Sequence, residues 1–203
     1  MKHAIFITAI ILLTFFNACK QDQTDNSKMD HSKMDHNSMD HSTMSSEPNA
    51  ANAPFDLQFI DTMIHHHEAA VDMAKMAPNS TKNADLLKFT NAVIIDQSKE
   101  MQQMADWRKN WFDGKPAALN MEIPGMKESM KMDMKKLGDA RDKEFDLLFI
   151  EMMIPHHEGA ITMSKDALEK SEHAEIKTLA NQIIKAQEAE IKMMQEWKTK
   201  WTK

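Results

Sequence analysis

The pattern of apolar and polar positions along this chain is written twice. Residues 55–75, FDLQFIDTMIHHHEAAVDMAK, and residues 145–165, FDLLFIEMMIPHHEGAITMSK, align without a gap at a constant offset of 90. At about 100° per residue, Phe59, Met63, His66, His67, Ala70, Met73 and Ala74 share one broad face, which is the period of an amphipathic helix. This helix is expected from about residue 55 to 76, ended by Ala77-Pro78-Asn79. A second stripe, Leu86, Phe89, Val93, Met104, Trp107 and Trp111, predicts a helix from about 82 or 83 to 112. Thr81 is its expected N-cap, and Gly114-Lys115-Pro116 closes it.

The repeat continues through this second helix. Asn91, Ile94, Gln97, Glu100, Met104, Trp107 and Trp111 return as Asn181, Ile184, Gln187, Glu190, Met194, Trp197 and Trp201. A third helix is therefore expected from about 139 to 170 and a fourth, capped by Ser171, to about Trp201. Pro155 and Gly159 stand where the first copy has His65 and Ala69, and a kink is expected beside His156 and His157. Short loops make each copy an antiparallel hairpin. The expected fold is all-α, a four-helix bundle of two duplicated hairpins, with repeats at 55–112 and 145–202, a linker at 113–144 and the Trp residues near the helix ends.

Composition supports the helical reading: tyrosine is absent, glycine numbers 4, and helix formers dominate. A net charge of −6 argues against nucleic acid, whose phosphates need a basic surface. The 20 methionines and 10 histidines are the unusual feature, because many lie outside the helical stripes.

Residues 1–18 combine a basic Lys2, an apolar run over 4–16 and small residues before Cys19, the one cysteine in the chain. The run is short for a membrane span and reads as a signal peptide. Phe16-Asn17-Ala18-Cys19 resembles a bacterial lipobox with Phe where Leu is usual, so Cys19 is the expected lipidation site and membrane tether. Ordinary secretion and a retained anchor are the alternatives, and all three place the body outside the cytoplasm, in the periplasm or at the cell surface. With Cys19 lipidated no thiol remains, and soft-metal chemistry falls to thioethers and imidazoles.

Residues 19–54 are polar and expected to be disordered. Within them Met29, Met34, Met39 and Met44 recur every five residues, as do His31, His36 and His41. A spacer needs no methionine, whereas repeated thioether and imidazole form a ligand array for ions such as Cu(I). The linker is Met-rich again, with Met121, Met126, Met130, Met132 and Met134. The last three do not share a helical face, which predicts a second thioether surface, exposed or folded over the bundle.

In the core, His66, His67, His156 and His157 straddle the apolar stripe, and Gln97, Glu100, Gln187 and Glu190 lie inside the stripes of helices two and four. A carboxylate facing a core is costly unless paired or metal-bound, so Glu100 is expected to meet His66 or His67, and Glu190 its counterpart. That meeting is either a structural hydrogen bond or a metal site. Met63, Met153, Met73, Met163, Met101, Met104 and Met194 are candidate soft ligands beside it, or core fillers.

The motifs MIHHHEAAVDMA and MMIPHHEGAITMS, each followed by Gln-x-x-Glu and Met-x-x-Trp, closely resemble the domain of unknown function 305 family over residues 55–201. The resemblance implies a ferritin-like bundle, exported, that binds copper and supports copper or silver tolerance through Met and His. It carries the metal-ligand suspicion onto His66, His67, His156, His157 and nearby methionines. The expected function is a lipid-anchored protein that sequesters or carries Cu(I) or Ag(I) without turnover, exchanging its ion with copper-efflux or chaperone proteins. Two alternatives stand beside it. A ferritin-like di-metal enzyme needs Glu-x-x-His, which none of the four helices carries. A purely structural bundle leaves the Met-rich segments unexplained.

Overall fold

The computed structural model describes residues 44–203, and all regular structure among them is helical. A 3-10 turn at Ala50–Asn52 leads into α1 (Phe55–Ser80) and α2 (Ala84–Phe112), which pair as a hairpin. Two short helices, α3 (Met126–Ser129) and α4 (Met134–Asp139), lie in the crossover to α5 (Asp142–Lys170) and α6 (Ala174–Trp201), the second hairpin. This is the expected all-helical architecture of two duplicated hairpins.

The hairpins meet chiefly along α1 and α5, and α3 and α4 pack on these same two helices. Helices α1 and α5 therefore form a central layer with α2 and α6 packed on it. Phe59, Ile60, Met63, Leu86, Phe145, Phe149 and Met153 are fully or almost fully buried there. Each such side chain contributes roughly 1.5–3 kcal/mol through its removal from water.

Two carboxylates fix the direction of the central pair. Asp56, at the start of α1, accepts hydrogen bonds from the Glu172 and His173 backbone N–H groups (3.1 Å each) and from His173 Nδ1 (2.5 Å), all in the α5–α6 loop. Its repeat counterpart Asp146, at the start of α5, accepts from Asn83 Nδ2 (2.8 Å) in the α1–α2 loop. Each central helix thus begins beside the loop that ends the other, and α1 and α5 run antiparallel. Trp111 stacks on His173 at 3.9 Å, sealing one of these junctions, and Trp107–Trp111 and Trp197–Trp201 stack near the helix ends as expected.

Several sequence expectations are corrected. Helix α1 continues through Pro78 to Ser80, because proline there removes a single backbone bond and Thr81 N–H closes the last turn on the Ala77 carbonyl (3.0 Å). The N-cap of α2 is Asn83, whose side chain accepts from Asp85 and Leu86 N–H, while Thr81 Oγ1 accepts from Asn83 N–H. Ser171 does not cap α6: its hydroxyl donates to the His173 carbonyl, and Asp56 supplies the acceptor for the loop. Helix α5 starts at Asp142 and is continuous through Pro155.

Of the two arrangements expected for the linker methionines, exposed or folded over the bundle, the structure shows the second, and they form core instead of surface. Met121, Met126, Met130 and Met132 are buried and Met134 is half-buried, all packed with the main core. Residues 130–133 are not helical, and side chains two apart in such backbone can face one way, which a helical projection could not anticipate. Close approach at Gly159 makes this docking possible: a Cβ there would run into Ser129 and lie 2.6 Å from the Gly125 carbonyl oxygen. Gly125 itself has φ of +95°, a left-handed conformation suited to glycine.

The segment expected to be disordered through residue 54 is anchored at its described end. Met121 N–H donates to Ser46 Oγ (2.9 Å), Glu47 N–H to the Leu119 carbonyl (2.9 Å), and Ala50 is buried. Cys19, Met29, His31, Met34, His36, Met39 and His41 lie outside the described residues.

Candidate metal centre

His66, His67, His156 and His157 sit near the middle of α1 and α5, where the antiparallel pair crosses, and all four are fully buried. His66 and His156, equivalent in the two copies, stack with ring centroids 3.6 Å apart. Consecutive positions on a helix point about 100° apart. His66 therefore turns toward α3, where its Nε2 lies 3.0 Å from Ser129 Oγ, while His67 turns toward α2 and Glu100. Of the two expected partners for Glu100, the structure selects His67.

The partners define the tautomers. His67 Nε2 donates to Glu100 Oε2 at 2.7 Å and His157 Nε2 to Glu190 Oε2 at 2.6 Å, since a carboxylate only accepts. His156 Nε2 donates to the His66 carbonyl at 3.0 Å. Ser129 Oγ gives its one proton to the Met126 carbonyl at 2.8 Å, so His66 Nε2 is the donor in the bond between them. In a neutral ring protonated at Nε2, the lone pair is on Nδ1. The Nδ1 atoms of His66, His67 and His157 are buried with no hydrogen-bond partner. Burial first, then the neighbouring His156, His67 and His157, holds the His66 imidazole well below its ordinary range and hence neutral at pH 7.

This is the arrangement a ligating histidine requires, one nitrogen oriented by an acceptor and the other presenting a lone pair. Hydrogen bonding between His and Glu accounts for one nitrogen of each such ring and leaves the other unused. Among the described residues no three His, Cys, Asp or Glu side chains converge as a metal cage.

Thioethers are at hand by register. Met63 lies one turn before His67, and Met104 one turn after Glu100, so the antiparallel pairing set by the His67–Glu100 bond puts both methionines at one level beside the histidine. Met153 and Met194 repeat this beside His157 and Glu190. All four are fully buried, as are Met73 and Met163; Met101 is half-buried. Met44 is exposed. Sequence reasoning missed Ser129, which orients His66 from the crossover, and the Asp56–His173–Trp111 junction, both built from residues far apart in the chain.

The chain matches the domain of unknown function DUF305 over residues 12–108 and again over 56–198. CopM in its Cu(I)-bound form is 35% identical, with a TM-score of 0.62 covering 72% of this chain and 96% of CopM. CopM in an Ag-bound form obtained by co-crystallization gives the same identity, score and coverage. A DUF305 protein from Streptomyces coelicolor, 24% identical, shares the fold with a TM-score of 0.65 over 76% of this chain and 95% of that one. No curated protein matches the chain.

Proposed function

We propose, from the premise that this chain belongs to the DUF305 family, that it is an exported, metal-binding protein that sequesters or carries Cu(I), and also Ag(I), without catalytic turnover. CopM, solved with Cu(I) and with Ag, supports this reading, because this chain spans almost all of it at 35% identity. The observation that carries the proposal is the set of buried imidazoles whose Nε2–H groups are all engaged and whose Nδ1 atoms are unpartnered, with buried methionines one helical turn along the same helix pair. His67 Nδ1 with Met63 and Met104 would hold one soft ion, and His157 Nδ1 with Met153 and Met194 another. Imidazole and thioether are the neutral donors Cu(I) and Ag(I) prefer. Glu100 and Glu190 orient the rings.

The repeated Met and His residues over 29–44 form a further array of the same donor type, and Cys19 tethers the protein to the membrane by a lipid. In this arrangement the protein works in the periplasm or at the cell surface as a buffer that passes its ion to efflux or chaperone proteins. No helix among the described residues is long and apolar enough to cross a membrane.

The test replaces Met63 and Met153 together with Leu. Leu and Met are close in volume, so the apo protein should lose less than about 1.5 kcal/mol per site. Titration with Ag(I), and with Cu(I) under reducing conditions, should show the helical-core sites weakened while the fold persists. Unchanged core affinity would overturn the assignment.

A further inference from the structure

The two His–Glu pairs are covered on one side and reachable from the other. On the α3 side, Met126 and Met130 are buried, and Gly125 and Ser129 press onto Gly159. On the far side, α2 and α6 bound an open groove of about 850 Å³, with Gln97 and Glu100 on one wall and Gln187 and Glu190 on the other. His67 and His157 expose no surface, but the carboxylates they hold do, at 22% and 24%. Asp96 and Asp106 also line the groove, so its charge is acidic despite Lys99.

A second observation singles out this groove. Gln97 and Gln187 are only 4% and 3% exposed, and the Oε1 atom of each is buried without a hydrogen-bond partner. Buried carboxamide oxygens are ordinarily satisfied. Here the same unsatisfied oxygen occurs at equivalent positions in both copies, one helical turn from a groove-lining carboxylate.

We propose that this groove is the port through which the cargo cation reaches the core, with Gln97 Oε1 and Glu100 on one wall, and Gln187 Oε1 and Glu190 on the other, binding the incoming hydrated ion before it passes to His67 or His157. The inference rests on the metal-binding function proposed above. Oxygen donors hold hydrated cations with little regard for softness, whereas imidazole and thioether select soft ones. The port thus concentrates positive ions, and the core chooses among them. A cleft of one charge sign focuses the field and raises association rates by roughly 10 to 10³.

The experiment mixes the apo full-length protein rapidly with Ag(I) and follows tryptophan fluorescence. All four tryptophans lie at residue 107 or beyond, and Trp107 lines the groove, so the signal reports on the helices and not on the N-terminal segment. The association rate should fall as inert salt is added. It should also fall on the order of tenfold in Glu100→Gln/Glu190→Gln and, without touching either histidine partner, in Asp96→Asn/Asp106→Asn. Final core stoichiometry in Asp96→Asn/Asp106→Asn should stay that of the wild type. Mn(II), which favours oxygen ligands, should slow Ag(I) uptake in the wild type and lose this effect in Gln97→Leu/Gln187→Leu. Rates indifferent to salt and to both carboxylate pairs would overturn the port while leaving the core sites standing. A wild-type core that takes up no Ag(I) would remove both proposals.

Discussion

His66 and His156 stack face to face where α1 crosses α5, with ring centroids 3.6 Å apart and planes inclined by 27°. Residues equivalent in the two copies meet here, so a fully buried point between the hairpins is lined by two ionisable rings. Their hydrogen bonds differ: His66 is held by Ser129, and His156 by the His66 carbonyl. The crossover, present once, breaks the symmetry.

Acid should destabilise the apo protein. The folded His66 pKa is held well below 6.5, mainly by burial, so below about pH 6.5 the unfolded chain binds a proton that the folded chain refuses. Stability is full above that pH and declines as pH falls through the window beneath it, by up to about 1.4 kcal/mol per pH unit for this one group. Urea midpoints between pH 7.5 and 5 measure the slope, and His66→Gln should flatten it. An identical slope in the variant would assign the acid sensitivity elsewhere.

Replacing His67 and His157 with Gln separates structure from binding. Gln keeps a donor for Glu100 and Glu190 but removes the Nδ1 lone pair. The apo melting temperature should change modestly, and the rise produced by added Ag(I) or Cu(I), which comes from binding to the folded state alone, should disappear. A loss of about 3–5 kcal/mol in the apo protein with metal binding intact would mean the pairs are only structural.

Gly159→Ala should cost about 1–3 kcal/mol by forcing α3 off α5, the usual scale for overpacking. Ala69→Gly, at the equivalent position of α1, should lose only about 1 kcal/mol through helix propensity. Equal losses would show that the crossover does not depend on this contact.

Deleting residues 20–43 should lower Cu(I) stoichiometry and leave the melting temperature unchanged. The cut stops there because Ser46, Glu47 and Ala50 are fastened to the crossover. Unchanged stoichiometry would show that the Met and His repeats bind nothing.

The repeat, the four long helices, the antiparallel hairpins and the burial of the His–Glu level could all be read from the chain, because each follows from local periodicity. Which histidine meets Glu100 could not: His66 and His67 both fall on the buried face, and only the placement of α3 draws His66 away. Whether Met130 and Met132 are exposed or folded over the bundle could not be read for a related reason. Their backbone is not helical, and their burial depends on the gap at Gly159 far along the chain. Substitution of Ala69 by Gly159 between the copies was visible, but its meaning lay in the crossover.

The contacts of Asp56 with the 172–173 loop and of Asp146 with Asn83 have the reciprocal form of an isologous dimer, in which one subunit's patch binds the other's counterpart and the reverse. Here both partners lie in one polypeptide. A pair of separate hairpins would come apart on dilution, whereas two hairpins joined by a crossover stay at a fixed effective concentration however scarce the protein is. Assembly of the histidine crossing is thereby made independent of expression level.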